Sequence, residues 1–215
     1  MFARDRLNYI CSVYPIESLR IDKFDNDLLE MFTLPKGTLK NIWIAEHAEI
    51  FVESISRLYE DYFSTSLESQ EFGSGEGFPT GTIYHIWSHE NESIKVSATE
   101  YIQFTLGWAQ DHILNERSMP AVESQFLNTY ERDVVKVIFL HVFRVFLILF
   151  YFQSNYPVKK FVHEALDSEF DRFIVFCMYW GLLDFESEDV KLLGDYIDQF
   201  RQGYEQARQL LLEKS

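Results

Sequence analysis

A chain of 215 residues with 47% hydrophobic content can bury one substantial core, and it contains no linker long enough to separate two domains. Aromatic side chains make up 17% of it, twenty of them Phe, which argues against an extended disordered protein and for a core built from rings. A formal net charge of −15 with no cluster of Lys and Arg repels a phosphate backbone, so nucleic acid is not an expected partner. Cys11 and Cys177 lie far apart and Cys177 falls in a continuous apolar helix pattern, which fits an inert buried thiol in a reducing compartment. The mixed stretch after Arg4, Asp5 and Arg6 lacks the apolar run of a secretory signal.

Along the chain, the irregular alternation from Phe24 to Phe32 predicts a short helix packing on the core. A helix follows from about Trp43 to Tyr62, with Ala48, Phe51, Ile55, Leu58 and Tyr62 on its apolar stripe and Glu46, Glu49, Glu53 and Glu60 on another face. Gly73, Gly75, Gly77, Pro79 and Gly81 mark Ser64 to Thr82 as a flexible loop. No lysine follows the glycines, and Glu68, Glu71 and Glu76 make a phosphate cradle improbable. Ile83 to Trp87 and Ile94 to Val96 flank an Asn-containing turn, the pattern of a small hairpin.

Ser97 followed by Glu100 is a capping box that starts a helix near Ala98 and carries it to Asn115. Ile102, Leu106, Ala109 and Ile113 form its core-facing stripe. The next helix, about Leu127 to Gln153, is apolar all round from Val134 to Phe152. Lys136, His141 and Arg144 within that span favour a buried central helix over a membrane span. A short helix is expected near Pro157, then one over Glu169 to Trp180 with Ser168 as N-cap and Gly181 as its stop. In the last helix, about Glu188 to Glu213, Val190, Leu193, Ile197, Phe200, Tyr204, Ala207 and Leu211 form a sustained seam. That seam needs a surface: the chain's own core, a second copy or a partner helix.

Chemistry-bearing clusters are weak. His85 and His89 lie on an extended pattern, where four residues span about 13 Å, too far to chelate one ion directly. His141 reads as a satisfied core residue, and His163-Glu164 lacks the second histidine of a zincin motif. Glu186 and Glu188 favour a helix N-terminus rather than forming an acid/base pair. No nucleophile with an identifiable base partner is present, so an enzyme is not expected and no cofactor is implied.

Four ordered words carry a resemblance. They are Leu34-Pro35-x-Gly37 with Trp43-Ile44-Ala45, then Tyr101-Ile102 with Trp108, Gln110-Asp111 and Pro120, then Val142-Phe143-Arg144-Val145-Phe146, then Ser168-Glu169-Phe170-Asp171-Arg172-Phe173-Ile174-Val175-Phe176. Together they resemble the Mob/phocein family of kinase co-activators over roughly residues 33 to 200. The resemblance implies a mainly α, single-domain Mob-like helical bundle with a small β-hairpin and an extended C-terminal helix. It divides the chain into an N-terminal extension packing on the core (1–32), the Mob-like domain (33–200) and an extension of the C-terminal helix (201–215).

Members of that family typically hold a structural zinc between two cysteines of a C-x4-C loop and two histidines of the central helix. The matching positions here are Ser64, Ser69, Ile148 and Gln153, so all four ligands are lost and a metal-free domain is expected. Members bind the N-terminal extension of NDR/LATS-type kinases through an acidic surface around the first core helix, and some bind phosphopeptides in a basic pocket on the central helix. The kinase-contact acids fall on Thr38 and Ile42, neither charged, whereas Trp43 is retained and Glu46, Glu49 and Glu53 offer an acidic stripe. The phosphate pocket falls on Leu140, His141 and Arg144, a vestige with one permanent charge.

Two readings result. One is a cytoplasmic, zinc-free adaptor that binds an NDR/LATS-type kinase segment through the Trp43 helix. The alternative is a structural subunit of a larger cytoskeletal or ciliary assembly, docked through the aromatic surface and Phe200, Tyr204 and Leu211 of the last helix, with a helix-mediated oligomer as a further use of the seam. Neither reading involves membrane insertion.

Overall fold

The computed structural model describes residues 26–64, 85–89, 92–114, 129–155, 159–187, 190 and 195–214. They form a mainly α single domain: α1 (Asn26–Met31), α2 (Lys40–Leu58) continued by a π-turn (Tyr59–Phe63), β1 (His85–His89), β2 (Glu92–Val96), α3 (Ala98–Leu114), α4 (Thr129–Asn155), α5 (Lys160–Trp180) and α6 (Asp195–Lys214).

The central element is α4. Val145 through Phe150 are six consecutive buried residues, so this helix has no solvent face along that stretch and α2, α3 and α5 all pack on it. Rings fill the space between: Phe139 stacks on Phe173 at 5.7 Å and on Phe176 at 5.8 Å, and Phe51 meets Phe173 edge-on at 5.4 Å. Further along α4, Phe146 and Phe150 hold Phe170 at 5.2 and 4.9 Å.

Local signals set the element ends. Gly37 adopts φ 88° in the turn closed by the Thr38 N–H on the Pro35 carbonyl, a left-handed position where a Cβ is disfavoured. At the start of α3 the Glu100 N–H donates to Ser97 Oγ (3.2 Å) and the Ser97 N–H donates to Glu100 Oε2 (2.7 Å), the reciprocal pair of a capping box. Gly181, at φ 64°, ends α5 in the left-handed conformation. β1 and β2 pair antiparallel, with Trp87 opposite Ile94 and His85 opposite Val96.

Three expectations are corrected. Ser168 does not cap a helix: α5 runs unbroken from Lys160, because Val162, Leu166, Phe170 and Phe173 continue one buried stripe through it. Tyr62 is not on the core face of α2. The π-turn adds a residue to that turn, so Tyr59 (4% exposed) and Phe63 (0%) point inward and Tyr62 (40%) points out. Phe200 and Tyr204 are not presented to a partner. Ile197, Phe200, Tyr204 and Ala207 are buried in the chain's own core, where α6 packs on α1, because an apolar seam finds the nearest apolar surface in cis. Leu211 lies in α6, but its side chain is outside the described residues.

The short helix expected over Phe24 to Phe32 appears as α1, which places Leu29 and the following Phe32 at zero exposure and also packs on α5. The 65–84 segment, the start of a helix near Pro157 and the first turn expected for the last helix lie outside the described residues. Among the described residues no helix is long and apolar enough to cross a membrane.

Candidate functional site

Trp43 sits half-buried on the first turn of α2. Its indole N–H donates to the Phe32 carbonyl at 3.4 Å, and its ring lies 4.1 Å from that of His47. His47 is buried, stacked at 4.6 Å on Phe176 and edge-on to Phe32 at 5.6 Å; its Nδ1–H donates to the Trp43 carbonyl at 2.8 Å. Burial holds the imidazole below its ordinary 6.5, partly opposed by that hydrogen bond and by Glu46, with the Arg172 charge reinforcing the drop. Trp43 is thus fixed from behind. At 100° per residue, Trp43, Glu46 and Ile50 share one face of α2, and Ile50 is 44% exposed. This face continues into a shallow hollow of about 380 Å³ lined by Ile50, Ser54, Leu58 and Tyr62. Beyond it, Tyr62 meets Phe161 of α5 edge-on at 5.3 Å, with Lys159 Nζ 5.9 Å from the Phe161 ring.

The three acids expected to form one stripe stand at spacings of three and four on α2, all exposed, along the border between two surfaces. Glu46 lies beside Trp43, whereas Glu49 lines a second cleft, of about 440 Å³, between α2 and α3. Glu53 borders both hollows and pairs with Arg57 at 3.3 Å, an exposed pair of small energetic consequence. Buried Val52, Tyr59 and Leu106 with half-buried Ile113 form the floor of the second cleft, and Gln103, Gly107 and Gln110 form its α3 wall.

Leu140, His141 and Arg144 are half-buried on α4. The His141 ring is walled by Trp87 at 5.2 Å, Trp108 at 5.5 Å and Tyr101 at 6.0 Å, and its Nδ1 shares a 2.8 Å hydrogen bond with the Tyr101 hydroxyl. Aromatic surface therefore surrounds the three positions expected to mark a phosphate pocket, with Phe104 beside Trp87 at 6.0 Å and 41% exposed.

At the positions matched to zinc ligands, Ser64 donates its hydroxyl to the Glu60 carbonyl at 2.9 Å and Ile148 is 2% exposed in the apolar core. A hydroxyl already committed to a carbonyl and an alkyl side chain do not fit a tetrahedral zinc. Ser69 and the Gln153 side chain lie outside the described residues. Among the described residues no group of three or more His, Cys, Asp or Glu side chains is placed to hold a metal ion.

Sequence patterns missed Ile50, the Tyr62–Phe161 pair and the cleft. Ile50 carried a usable signal, seven residues after Trp43 and therefore on its face. The Tyr62–Phe161 pair joins two helices distant in sequence and had none.

The fold and these surfaces define a class: a mainly helical single domain wrapped around one buried helix, with apolar strips and a cleft on its helix faces. The chain belongs to the Mob1/phocein family, whose model matches residues 22–192. It is similar to the maintenance of ploidy protein mob1 of Schizosaccharomyces pombe, 26% identical over 177 residues that cover 80% of each chain. It is also similar to the MOB kinase activator-like 1 homolog A of Dictyostelium discoideum, 28% identical over 164 residues and 74% of each chain. With the DBF2 kinase activator protein MOB1 of Saccharomyces cerevisiae it shares 26% identity over 157 residues, 70% of this chain and 48% of that protein.

Proposed function

We propose that this protein is a non-enzymatic, cytoplasmic adaptor that binds the regulatory segment of an NDR/LATS-type kinase without zinc. The observation that carries the reading is the face of α2 bearing half-buried Trp43, Glu46 and exposed Ile50, in a chain whose family relatives are named as kinase activators. Trp43 is held rigid by Phe32 and His47, so docking a helix on it costs little side-chain entropy. Ile50 and exposed Leu39 supply apolar contact on either side. Glu46, with Glu53 at the border, supplies the charge that attracts a basic segment. The same reading treats residues 33–200 as the Mob-like unit, with 1–32 an extension packed on it and 201–215 a prolongation of its last helix.

The phosphopeptide function is lost in this reading. A phosphate wants several charge-assisted bonds, and Arg144 is the only permanent cation among Leu140, His141 and Arg144, beside rings that prefer apolar or cationic groups. Uncharged Thr38 and Ile42 favour the second reading, a structural subunit of a larger assembly, for which burial of Phe200 and Tyr204 leaves the aromatic surface and the end of the last helix as docking surfaces.

Fluorescence anisotropy with labelled N-terminal extension peptides of NDR/LATS-type kinases tests the adaptor. Binding that Ile50→Asp weakens by roughly tenfold, with the circular dichroism of this exposed-site variant unchanged, is the expected result. No binding, or equal binding by the variant, overturns it. A stable set of non-kinase structural proteins retained on the tagged chain at mild salt would then support the assembly subunit.

A further inference from the structure

The second cleft has a feature that no described neighbour explains. Gly107 lies in the interior of α3, where glycine is destabilising relative to alanine, and a Cβ built on it would meet nothing within 4 Å. No neighbour in the described structure therefore requires the missing side chain. What the glycine does is leave bare helix backbone on one wall of a cleft with an apolar floor. On the opposite wall Glu49, Glu53 and Glu60 are exposed, spread over about 16 Å of helix, roughly three turns. Only Arg57 interrupts that acidic edge.

We infer that the cleft between α2 and α3 is a docking groove for a basic amphipathic helix of a partner protein. The apolar stripe of the partner covers Val52, Leu106 and Ile113, its backbone approaches closely over Gly107, and its Lys or Arg side chains meet the Glu49, Glu53 and Glu60 edge. Charge decides the occupant: a chain of net charge −15 with carboxylates along the rim repels an acidic helix and attracts a basic one. The groove adjoins the kinase-docking strip proposed above and shares Glu53 with it. Its floor and its Gly107 wall are not part of that strip, so the Gly107→Leu and Ile50→Asp variants separate failure of one proposal from failure of the other.

The probe is a fluorescein-labelled amphipathic peptide, about five turns of helix long, with one leucine stripe and lysines beside it, titrated by anisotropy against the full chain. A scrambled peptide of the same composition is the reference. Gly107→Leu closes the groove sterically, and Glu49→Lys with Glu60→Lys reverses its edge. Glu30→Lys with Glu205→Lys makes the same change of net charge at exposed positions elsewhere. The expected result is tighter binding of the patterned peptide, a loss of roughly tenfold in both groove variants, and a change within about twofold in the charge control. Binding indifferent to Gly107→Leu and to the edge reversal overturns the proposal. So does an equal loss in the charge control, which would mean unspecific attraction. Concentration-dependent dimerisation that Gly107→Leu abolishes would put a second copy in the groove and likewise overturn it. Thermal melts report folding, and should Gly107→Leu fail to fold, the edge reversal against its control decides alone.

Discussion

Replacing Phe200 by alanine distinguishes a seam that holds the domain together from one that holds a partner. Phe200 is 1% exposed and shares the core with Ile197, Tyr204 and Ala207. A phenylalanine buries about 150–250 Å², which at about 25 cal/mol/Å² corresponds to roughly 4–6 kcal/mol as an upper bound. Alanine recovers part of that, so the expected loss is about 3–5 kcal/mol, the range found for such truncations. For a domain of this size each kcal/mol moves Tm by about 2–4 °C, so the midpoint should fall by roughly 10 °C. Urea titration of the isolated chain, followed by circular dichroism, gives the free energy directly. Gln206→Ala on the exposed face of the same helix should stay within about 0.5 kcal/mol. A Phe200→Ala chain within about 1 kcal/mol of wild type refutes the packing argument and returns the seam to a partner-docking role.

Ser97→Ala removes one half of the capping box, the Glu100 N–H bond to Ser97 Oγ, while the backbone N–H of residue 97 still donates to Glu100 Oε2, and should cost about 1 kcal/mol by urea titration. Gly107→Ala, with open space for its methyl group, should gain about 0.8–1 kcal/mol in the same assay, and a loss instead would mean that α3 is packed tightly at this point. His47 sets a pH dependence. Its folded pKa lies below 6.5, so the unfolded chain takes the proton first and stability falls as pH drops from about 6.5 toward the folded value. His47→Asn, which keeps a donor for the Trp43 carbonyl, should flatten that fall between pH 7.5 and 5.5, and an unchanged slope would place the titration elsewhere. Protein purified without chelators should carry far less than one zinc per chain by atomic emission; stoichiometric zinc would overturn the metal-free reading.

Much of the fold was legible because local rules and tertiary packing agreed. The Ser97–Glu100 box, the Ile102–Leu106–Ala109 stripe and the Gly181 stop each require only neighbours in sequence, and the structure satisfies each. The failures share a cause. Ser168 looks like a cap because serine is a favoured N-cap residue, yet the next residue, Glu169, is buried and paired with Arg172 at 3.0 Å inside a helix whose apolar stripe outweighs the capping signal. Tyr62 was misplaced because a π-turn changes the helical phase and leaves no mark in hydrophobic spacing. The candidate site was less legible. Trp43 stood out in the sequence, but the ring and hydrogen bond that fix it come from His47 and Phe32, and the place of Glu49 on the edge of a cleft depends on where α3 packs along α2.

A metal-free domain, which the residues matched to the zinc ligands lead us to expect, needs another source of cohesion. A structural zinc ties a loop to a helix by a few strong bonds, and losing four ligands would free both unless other contacts restrain them. At the two matched positions the structure describes, that restraint is ordinary: Ile148 is packed in the most continuously buried segment of α4, and Ser64 is tied to its own helix through Glu60. Ring contacts across α2, α4 and α5 supply cohesion that depends on neither pH nor metal. A core secured in this way leaves the outer faces of α2 and α3 free to change their charge and shape. Those outer faces, with the strip beside Trp43 and the cleft at Gly107, are therefore where a partner preference particular to this chain should be sought.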